Sequence, residues 1–306
     1  MTSIKKYVGD GFVLVDKPIN LSSHQAIKAI KKLCTGKIGH SGTLDPFATG
    51  MLVVSVGQAS KFMQYQIIKD KTYSASLQLG IQTDTQDCTG KIIKQAPIPK
   101  IENATIHNTL LTYFTGEIEQ VASKFSALKH KGKPSYKYAR AGIDIPEKKR
   151  KITIHGYDKV AYDPKLGIIS FQVTCSSGTY IRALGEDIAK KLGSYGHITQ
   201  LRRLSVHPWQ PESMHLPSKF QENTIQNFIQ PIDMTLLHLP RLELSTKEIE
   251  KLKMGQWINA ANDSIDNSLY RTYDTKQKFC GLVRCKMPYH KPQKMLISSN
   301  SPKDKA

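Results

Sequence analysis

KIGHSGTLDPFATGMLVVSVGQASK, residues 37–61, sets one carboxylate, Asp45, in a loop rich in glycine and threonine that runs straight into an apolar segment. Pro46 steers Asp45 toward extended backbone, while Gly39, Gly42 and Gly50 offer sharp turns and room for a close approach. Met51, Leu52, Val53, Val54 and Val56 read as a strand buried on both faces. An acid at the lip of a rigid strand is well placed for chemistry. The competing reading is a turn whose aspartate hydrogen-bonds its own backbone, the commoner case for a lone loop Asp. Residues elsewhere must separate the two.

Upstream, GFVLVD (11–16) reads as a strand, and Asn20 tolerates a left-handed turn residue. Ser22 or Ser23 caps one helix whose buried stripe is Ala26, Ile27, Ile30 and Leu33 and whose stop is Gly36. Downstream, Ala59–Ile67 reads as a short helix. Lys71–Leu79 alternates with period two and puts Tyr73, Ala75, Leu77 and Leu79 on one face. Thr83–Gly90 is a polar loop in which Asp84 and Asp87 lack the spacing of a calcium site. An amphipathic helix follows at Ile101–Phe114.

Ile152–Tyr162 and Gly167–Cys175 read as strands, and Ser176–Gly178 as the cap of a helix over Thr179–Leu192. That helix carries Tyr180 and Arg182 in its first turn. An arginine there opposes the helix dipole, so a compensating anion is expected beside it. Ile198–His207 is a strand containing Arg202 and Arg203, read either as a solvated pair or as phosphate contacts. Residues 208–235 form a partly helical connector. Ser245 and Glu248 make a capping box for a helix ending at Gly255. Strand-like pieces then follow at Trp257–Ile258, Tyr270–Tyr273, Phe279–Cys285 and Met295–Ser298. Strands in meanders, with helices interspersed rather than alternating, indicate an α+β fold with a mixed, mainly antiparallel sheet.

The 306 residues hold 44 Lys+Arg against 25 Asp+Glu, a net charge of +19 that favours a polyanionic partner. No apolar run spans a membrane and the first residues lack a signal-peptide core, which puts nucleic acid ahead of a lipid surface. The five cysteines are odd in number and scattered, as suits a reduced, cytoplasmic protein. Cys280 and Cys285 have no second pair, so no structural zinc is expected. Residues 121–151 carry ten Lys/Arg against Asp144 and Glu147, with Tyr136 and Tyr138 among them. That mixture suits phosphates and stacked bases, although a solvated loop would look similar. Phosphate-loop and dinucleotide fingerprints are missing, as is any His/Cys cluster of ligand spacing, so no cofactor or metal is expected. One aspartate with its own loop, a strand tyrosine, an arginine at a helix start and a basic surface remain. The set fits carboxylate catalysis on RNA.

These residues carry a family resemblance. GFVLVDKP (11–18), SSH (22–24), KIGHSGTLDPFATGMLVVSVGQASKF (37–62), DKTYSASLQLGIQTDTQD (70–87), SALKHKGKPSYKYAR (126–140), GTYIRALGEDIAKKLG (178–193) and LRRL (201–204) occur in order. Together they resemble the TruB family of tRNA pseudouridine synthases, the bacterial stand-alone type. Asn20 stands where the family usually has Gly, Ser22 where it often has Thr, and Pro134-Ser135 where a more helical pair is common.

The resemblance implies isomerisation of uridine-55 in the tRNA T-loop, with base flipping and no cofactor. It makes Asp45 the nucleophile, lays Tyr73 against the target base, and pairs Arg182 with the aspartate, favouring its ionisation. His40 would help hold the rearranged loop; Tyr180 and Leu201 would contact substrate, with Lys17 and Pro18 nearby. From the residues alone, His40 is equally a buried histidine, and Tyr73 a core aromatic. The implied organisation is a catalytic domain over 1–235 with a basic insertion at about 91–151, then a PUA-like RNA-binding module over 236–306. A monomer acting on the T-arm and elbow of tRNA, with no obligate protein partner and no membrane, is expected.

Overall fold

A computed structural model describes residues 6–66, 70–121, 129–130, 132–261 and 263–297. Ile67, Lys124, Lys131, Ser298 and the tail beyond Ser301 lie outside the described residues, as do the side chains of Lys129, Tyr136 and Arg140.

The chain begins with β1 (Gly11–Lys17), α1 (Ser23–Ala26), α2 (Lys28–Leu33), β2 (Ile38–Ser41) and β3 (Thr49–Val56). β4 (Lys71–Leu79) leads to a small hairpin, β5 (Ile81–Thr83) with β6 (Ile92–Gln95), then α3 (Asn103–Tyr113) and β7 (Gly116–Val121). A second hairpin, β8 (Lys129–His130) with β9 (Lys133–Pro134), and α4 (Ser135–Arg140) precede the long strands β10 (Lys149–Asp163) and β11 (Ile168–Cys175). Next come α5 (Ile181–Lys191) and β12 (Gly196–Val206). Residues 208–236 run through four short 3-10 turns. The last stretch holds β13 (Arg241–Glu243), α6 (Thr246–Lys253), β14 (Ile258–Asn259), β15 (Leu269–Tyr273), β16 (Phe279–Lys286) and β17 (Tyr289–Met295).

The main sheet has eight strands in the order β1-β3-β12-β4-β11-β10-β7, with β2 alongside β3. Its pairs are antiparallel except for the short parallel contact of β12 with β3. The last residues form a separate five-stranded sheet, β13-β15-β16-β17-β14. The mixed, mainly antiparallel α+β reading therefore describes the molecule.

Burial explains why these segments pair as they do. On β4 the alternation predicted for Tyr73, Ala75, Leu77 and Leu79 turns all four into one core with Ile106 and Leu110 of α3 and Ile188 of α5. β3 is buried on both sides. Leu52, Val54 and Val56 pack with Ile27 and Ile30, while Met51 and Val53 pack with Phe12, Trp209, Leu236 and Leu282. Between β3 and the C-terminal sheet, Gln58 donates to the Ile297 carbonyl at 2.8 Å and accepts from the Ile297 N–H at 3.2 Å.

Several local expectations change. The helix after Ser22 is two: Ser22 and Gln25 form a capping box, then the chain breaks at Ile27. Ala59–Tyr65 makes 3-10 turns in place of an α-helix. α5 begins at Ile181, with Tyr180 as N-cap and no side-chain cap. The buried side-chain amide of Gln120 instead holds the N-cap residue itself, accepting from the Tyr180 N–H at 2.8 Å and donating to its carbonyl at 3.1 Å. The last strand ends at Met295 instead of beginning there, its pattern disguised by Pro292 beside a shift in register with β16.

Gly39 is not a turn residue either; it lies within β2, paired with Ser55. Gly42 and Gly50 do take positive φ, +68° and +99°. At Gly50 a Cβ would sit 2.2 Å from the carbonyl oxygen of Arg203. The clearance there is for the protein's own β12. Gly50→Ala is therefore expected to cost about 3 kcal/mol or more, from strained backbone and a broken β3–β12 junction; urea unfolding at neutral pH measures it.

Candidate active site

Beside β3 the sheet forks. β12 pairs with Thr49 and Gly50, whereas β2 pairs with Val53 to Val56, leaving the backbone between them without a strand partner on that side. Arg203 fills the gap. It is 1% exposed, its Nε donates to the Met51 carbonyl at 2.6 Å, and its Nη2 donates to the Gly42 carbonyl at 2.9 Å. The loop from Gly42 to Met51 is thus drawn together at both ends, and Asp45 sits at its crest.

The residues flanking Asp45 are pinned one by one. The Ser23 hydroxyl donates to the Leu44 carbonyl at 3.1 Å and accepts from the Leu44 N–H at 2.9 Å. The Pro46 carbonyl accepts from the Asn20 N–H at 2.8 Å and from Lys17 Nζ at 3.2 Å. Lys17 has no exposed surface and also donates to the carbonyls of Pro18 and Leu21. Lys17, expected near the substrate, lies beneath the Asp45 loop as its tether. Asn20 takes the left-handed conformation, φ +65°, that its residue type allows.

On top of the loop Asp45 keeps a side chain 36% exposed and meets Arg182: Nε to Oδ2 at 2.8 Å and Nη2 to Oδ1 at 3.4 Å. Arg182 is otherwise buried. Its Nη1 donates to the Thr85 carbonyl at 2.6 Å and lies 3.6 Å from Asp87 Oδ2. The anions expected beside this first-turn arginine are thus two carboxylates of the protein itself. Asp87 is in turn fixed as an acceptor, its Oδ1 taking hydrogen bonds from Thr85 Oγ1, Thr89 Oγ1 and the Thr89 N–H. One turn along α5, Glu186 accepts from Gln82 and Gln86. The Thr83–Gly90 segment, read as a polar loop, is a bracket that holds the guanidinium.

Burial pushes the Asp45 carboxyl above its ordinary value; Arg182 opposes this and Asp87 adds to it. The arginine favours ionisation as expected, yet desolvation outweighs it. Tyr73 is buried on β4 directly opposite Arg203; burial raises its pKa and the Arg203 charge counters that. His40 is half-buried on β2, and its Nδ1 has no hydrogen-bond partner among the described residues. Burial and then Arg203 push its ring's pKa below the ordinary histidine value.

Leu201 is buried on β12 beside Ala75, Pro18 is half-buried, and the half-buried Tyr180 ring has the Arg150 guanidinium 5.6 Å from its centroid. Arg202 and Arg203 are not free for phosphate. Arg202 grips both oxygens of Asp16 at 2.9 Å, and Arg203 is the fork residue. Sequence reading missed Arg203, Asp87, Ser23 and Glu186 as parts of this site. Among the described residues, no group of three or more His, Cys, Asp or Glu is placed to hold a metal ion.

Residues 30–181 match the TruB family pseudouridylate synthase N-terminal domain. A tRNA pseudouridine synthase B from Hydrogenovibrio crunogenus is 38% identical over 274 residues, covering 89% of this chain and 88% of the relative. The chain belongs to the TruB family of pseudouridylate synthases. A second such relative, from Neisseria gonorrhoeae, is 39% identical over 280 residues and covers 90% of each chain. Among solved structures, an H/ACA RNP bound to a substrate RNA containing 2′-deoxyuridine shares the fold. Its TM-score is 0.65 at 20% identity, over 95% of this chain and 86% of that one. A Cbf5-Nop10-Gar1 complex gives 0.64 at 22% identity, over 90% and 78%. The protein is a pseudouridine synthase, an isomerase.

In this synthase Lys17 supplies a pH signature of the loop. Burial lowers its pKa to about 8 from 10.5, with Asp45 opposing and Arg203 assisting. Between those values the unfolded chain holds a proton that the folded chain has lost, so stability rises as pH climbs through that window. The stability advantage of wild type over Lys17→Met is expected to grow between pH 7.5 and 10, by up to roughly 3 kcal/mol. Urea titrations of both proteins at several pH values check it.

Proposed function

We propose that this synthase converts uridine-55 in the T-loop of tRNA to pseudouridine, with Asp45 as the group that attacks or deprotonates the sugar. The observation that carries the reading is the Asp45–Arg182 pair: a carboxylate partly open to solvent, its partner buried, on a loop tied at both ends. The names of its relatives, tRNA pseudouridine synthase B, support tRNA as substrate. A chain carrying +19 suits such a polyanion.

The reaction is an isomerisation. The C1′–N1 bond breaks, the uracil turns, C5 bonds to C1′, the C5 proton leaves and N1 gains one; no electrons enter or depart. The ionised carboxylate either adds at C1′ or removes a sugar proton to give a glycal, and both routes begin with Asp45 charged. Asp87, committed as an acceptor beside Arg182, is no second acid for hydrolysis. The target base leaves the folded loop to reach Asp45, and Tyr73 and His40 are assigned to receive it and to occupy its place. Tyr180, Leu201 and Pro18 complete the substrate-facing set. Residues 1–235 are assigned to catalysis, with the basic segment 91–151 gripping the T-arm and elbow, and 236–306 to an appended PUA-like module. A cytoplasmic monomer with no obligate protein partner fits this assignment.

The test is tritium release from an unmodified tRNA transcript labelled at C5 of uridine, with the modified position mapped. Wild type is expected to release tritium from the T-loop uridine, and Asp45→Asn to lower the rate by at least about a thousandfold. No release by wild type, or undiminished release by Asp45→Asn, refutes the reading. The pH profile adds a second check. Activity needs ionised Asp45, so it falls as pH drops through a pKa above the usual 3.8. Arg182→Met removes the opposing charge, and that acid limb is expected to move to higher pH.

A further inference from the structure

The C-terminal five-stranded sheet is covered by a helix on one side. Ile249 and Leu252 of α6 pack there with Val283, Cys285 and Met295. Strand register fixes what the opposite side carries. His290 pairs with Ile258 on one neighbour and Cys285 on the other, and all three are buried. Side chains one position away therefore face outward. They are Trp257 beside β14, Tyr289 and Lys291 on β17, and Arg284 and Lys286 on β16.

Trp257 and Tyr289 remain 53% and 39% exposed. Their ring centroids are 5.8 Å apart, and Lys291 Nζ lies 3.7 Å from the Trp257 ring centroid. Arg284 and Lys286 hydrogen-bond to Asn267, an uncharged residue. β14, β16 and β17 contain no acidic residue. Lone exposed aromatics are ordinary on protein surfaces. Two adjacent rings with a cation stacked on one, on strands free of carboxylates, are not. A protein-docking face would instead be depleted in lysine. π-faces backed by cations are what unpaired nucleotides need, because only unpaired bases expose both ring faces and a free phosphate chain.

We propose that Trp257, Tyr289 and Lys291 form a stacking platform for unpaired nucleotides of the RNA substrate. The inference deepens the RNA-modifying reading given above and rests on it for the identity of the RNA. Gln293, the next outward residue of β17, donates to the Tyr65 hydroxyl at 3.3 Å, so this face continues onto the chain that follows β3.

Of the two tryptophans, Trp209 is buried in the core and Trp257 is exposed, so ligand-dependent quenching of tryptophan fluorescence reports Trp257. The full-length protein is titrated with a mixed-sequence single-stranded octaribonucleotide and with a blunt RNA duplex of the same length. Quenching by the single strand, and much less by the duplex, is expected. Trp257→Ala, followed by fluorescence anisotropy of a labelled oligonucleotide, is expected to weaken single-strand binding about tenfold, and Trp257→Phe to restore most of it. Lys291→Gln should flatten the dependence of affinity on salt. These are surface residues, and unchanged melting temperatures verify that the variants fold. Asp45→Asn separates the two readings, since it is expected to keep full quenching while losing pseudouridine formation. If the single strand fails to quench, or binds Trp257→Ala as tightly as wild type, the platform is overturned and the face is left to a protein partner.

Discussion

A guanidinium buried at the fork of the main sheet holds this molecule's working parts in place. Taking a charge out of water costs several kcal/mol unless hydrogen bonds replace the solvent. Arg203 finds them on the Met51 and Gly42 carbonyls, with no carboxylate among these partners. Its charge is spread over neutral acceptors and is felt by its neighbours, lowering the pKa of both Lys17 and His40. Two cations therefore lie beneath the Asp45 loop. A third, Arg182, faces the carboxylate at its crest, and the loop is an anionic point on a cationic base.

Arg182 and Arg203 divide the labour. Arg203 ties backbone to backbone and determines where the loop can be. Arg182 joins two carboxylates and the Thr85 carbonyl, and its placement depends on the bracket of Thr85, Asp87 and Thr89, whose neighbours Gln82 and Gln86 are tied to Glu186 on α5. The Gln120 amide holds the chain just before α5 from the edge strand β7. Precision at Asp45 therefore comes from supports drawn from both sides of the sheet.

How much of this is legible in the sequence varies with distance along the chain. Period-two burial on β4, the two-sided strand β3, the Ser245–Glu248 cap and the left-handed Asn20 are local patterns, and each holds in the structure. The resemblance motifs put Asp45 and Arg182 together although 137 residues separate them. What periodicity cannot show is which partner a polar residue takes. Arg202 and Arg203 are adjacent and chemically alike, yet one grips Asp16 on the sheet and the other is sealed inside it. Lys17 resembles a surface lysine in every local respect, and three carbonyls draw it inward. Short elements were missed for a related reason: β2 and β13 are stabilised by pairing with distant strands, and their four and three residues are too few to display a period.

The β3–β12 junction also constrains how the protein comes into being. Thr49 meets Arg202, and Gly50 meets Arg203, across 153 residues of chain, and the bracket around Arg182 needs residues 85–89 and 182–186 together. Contacts between such distant parts of a chain are slow to form, because a long loop must close before they return any energy. A nascent chain whose residue 203 has not left the ribosome has Asp45 but no fork residue, no closed loop and no complete sheet. The fixed setting of Asp45 therefore exists only as a property of the finished domain.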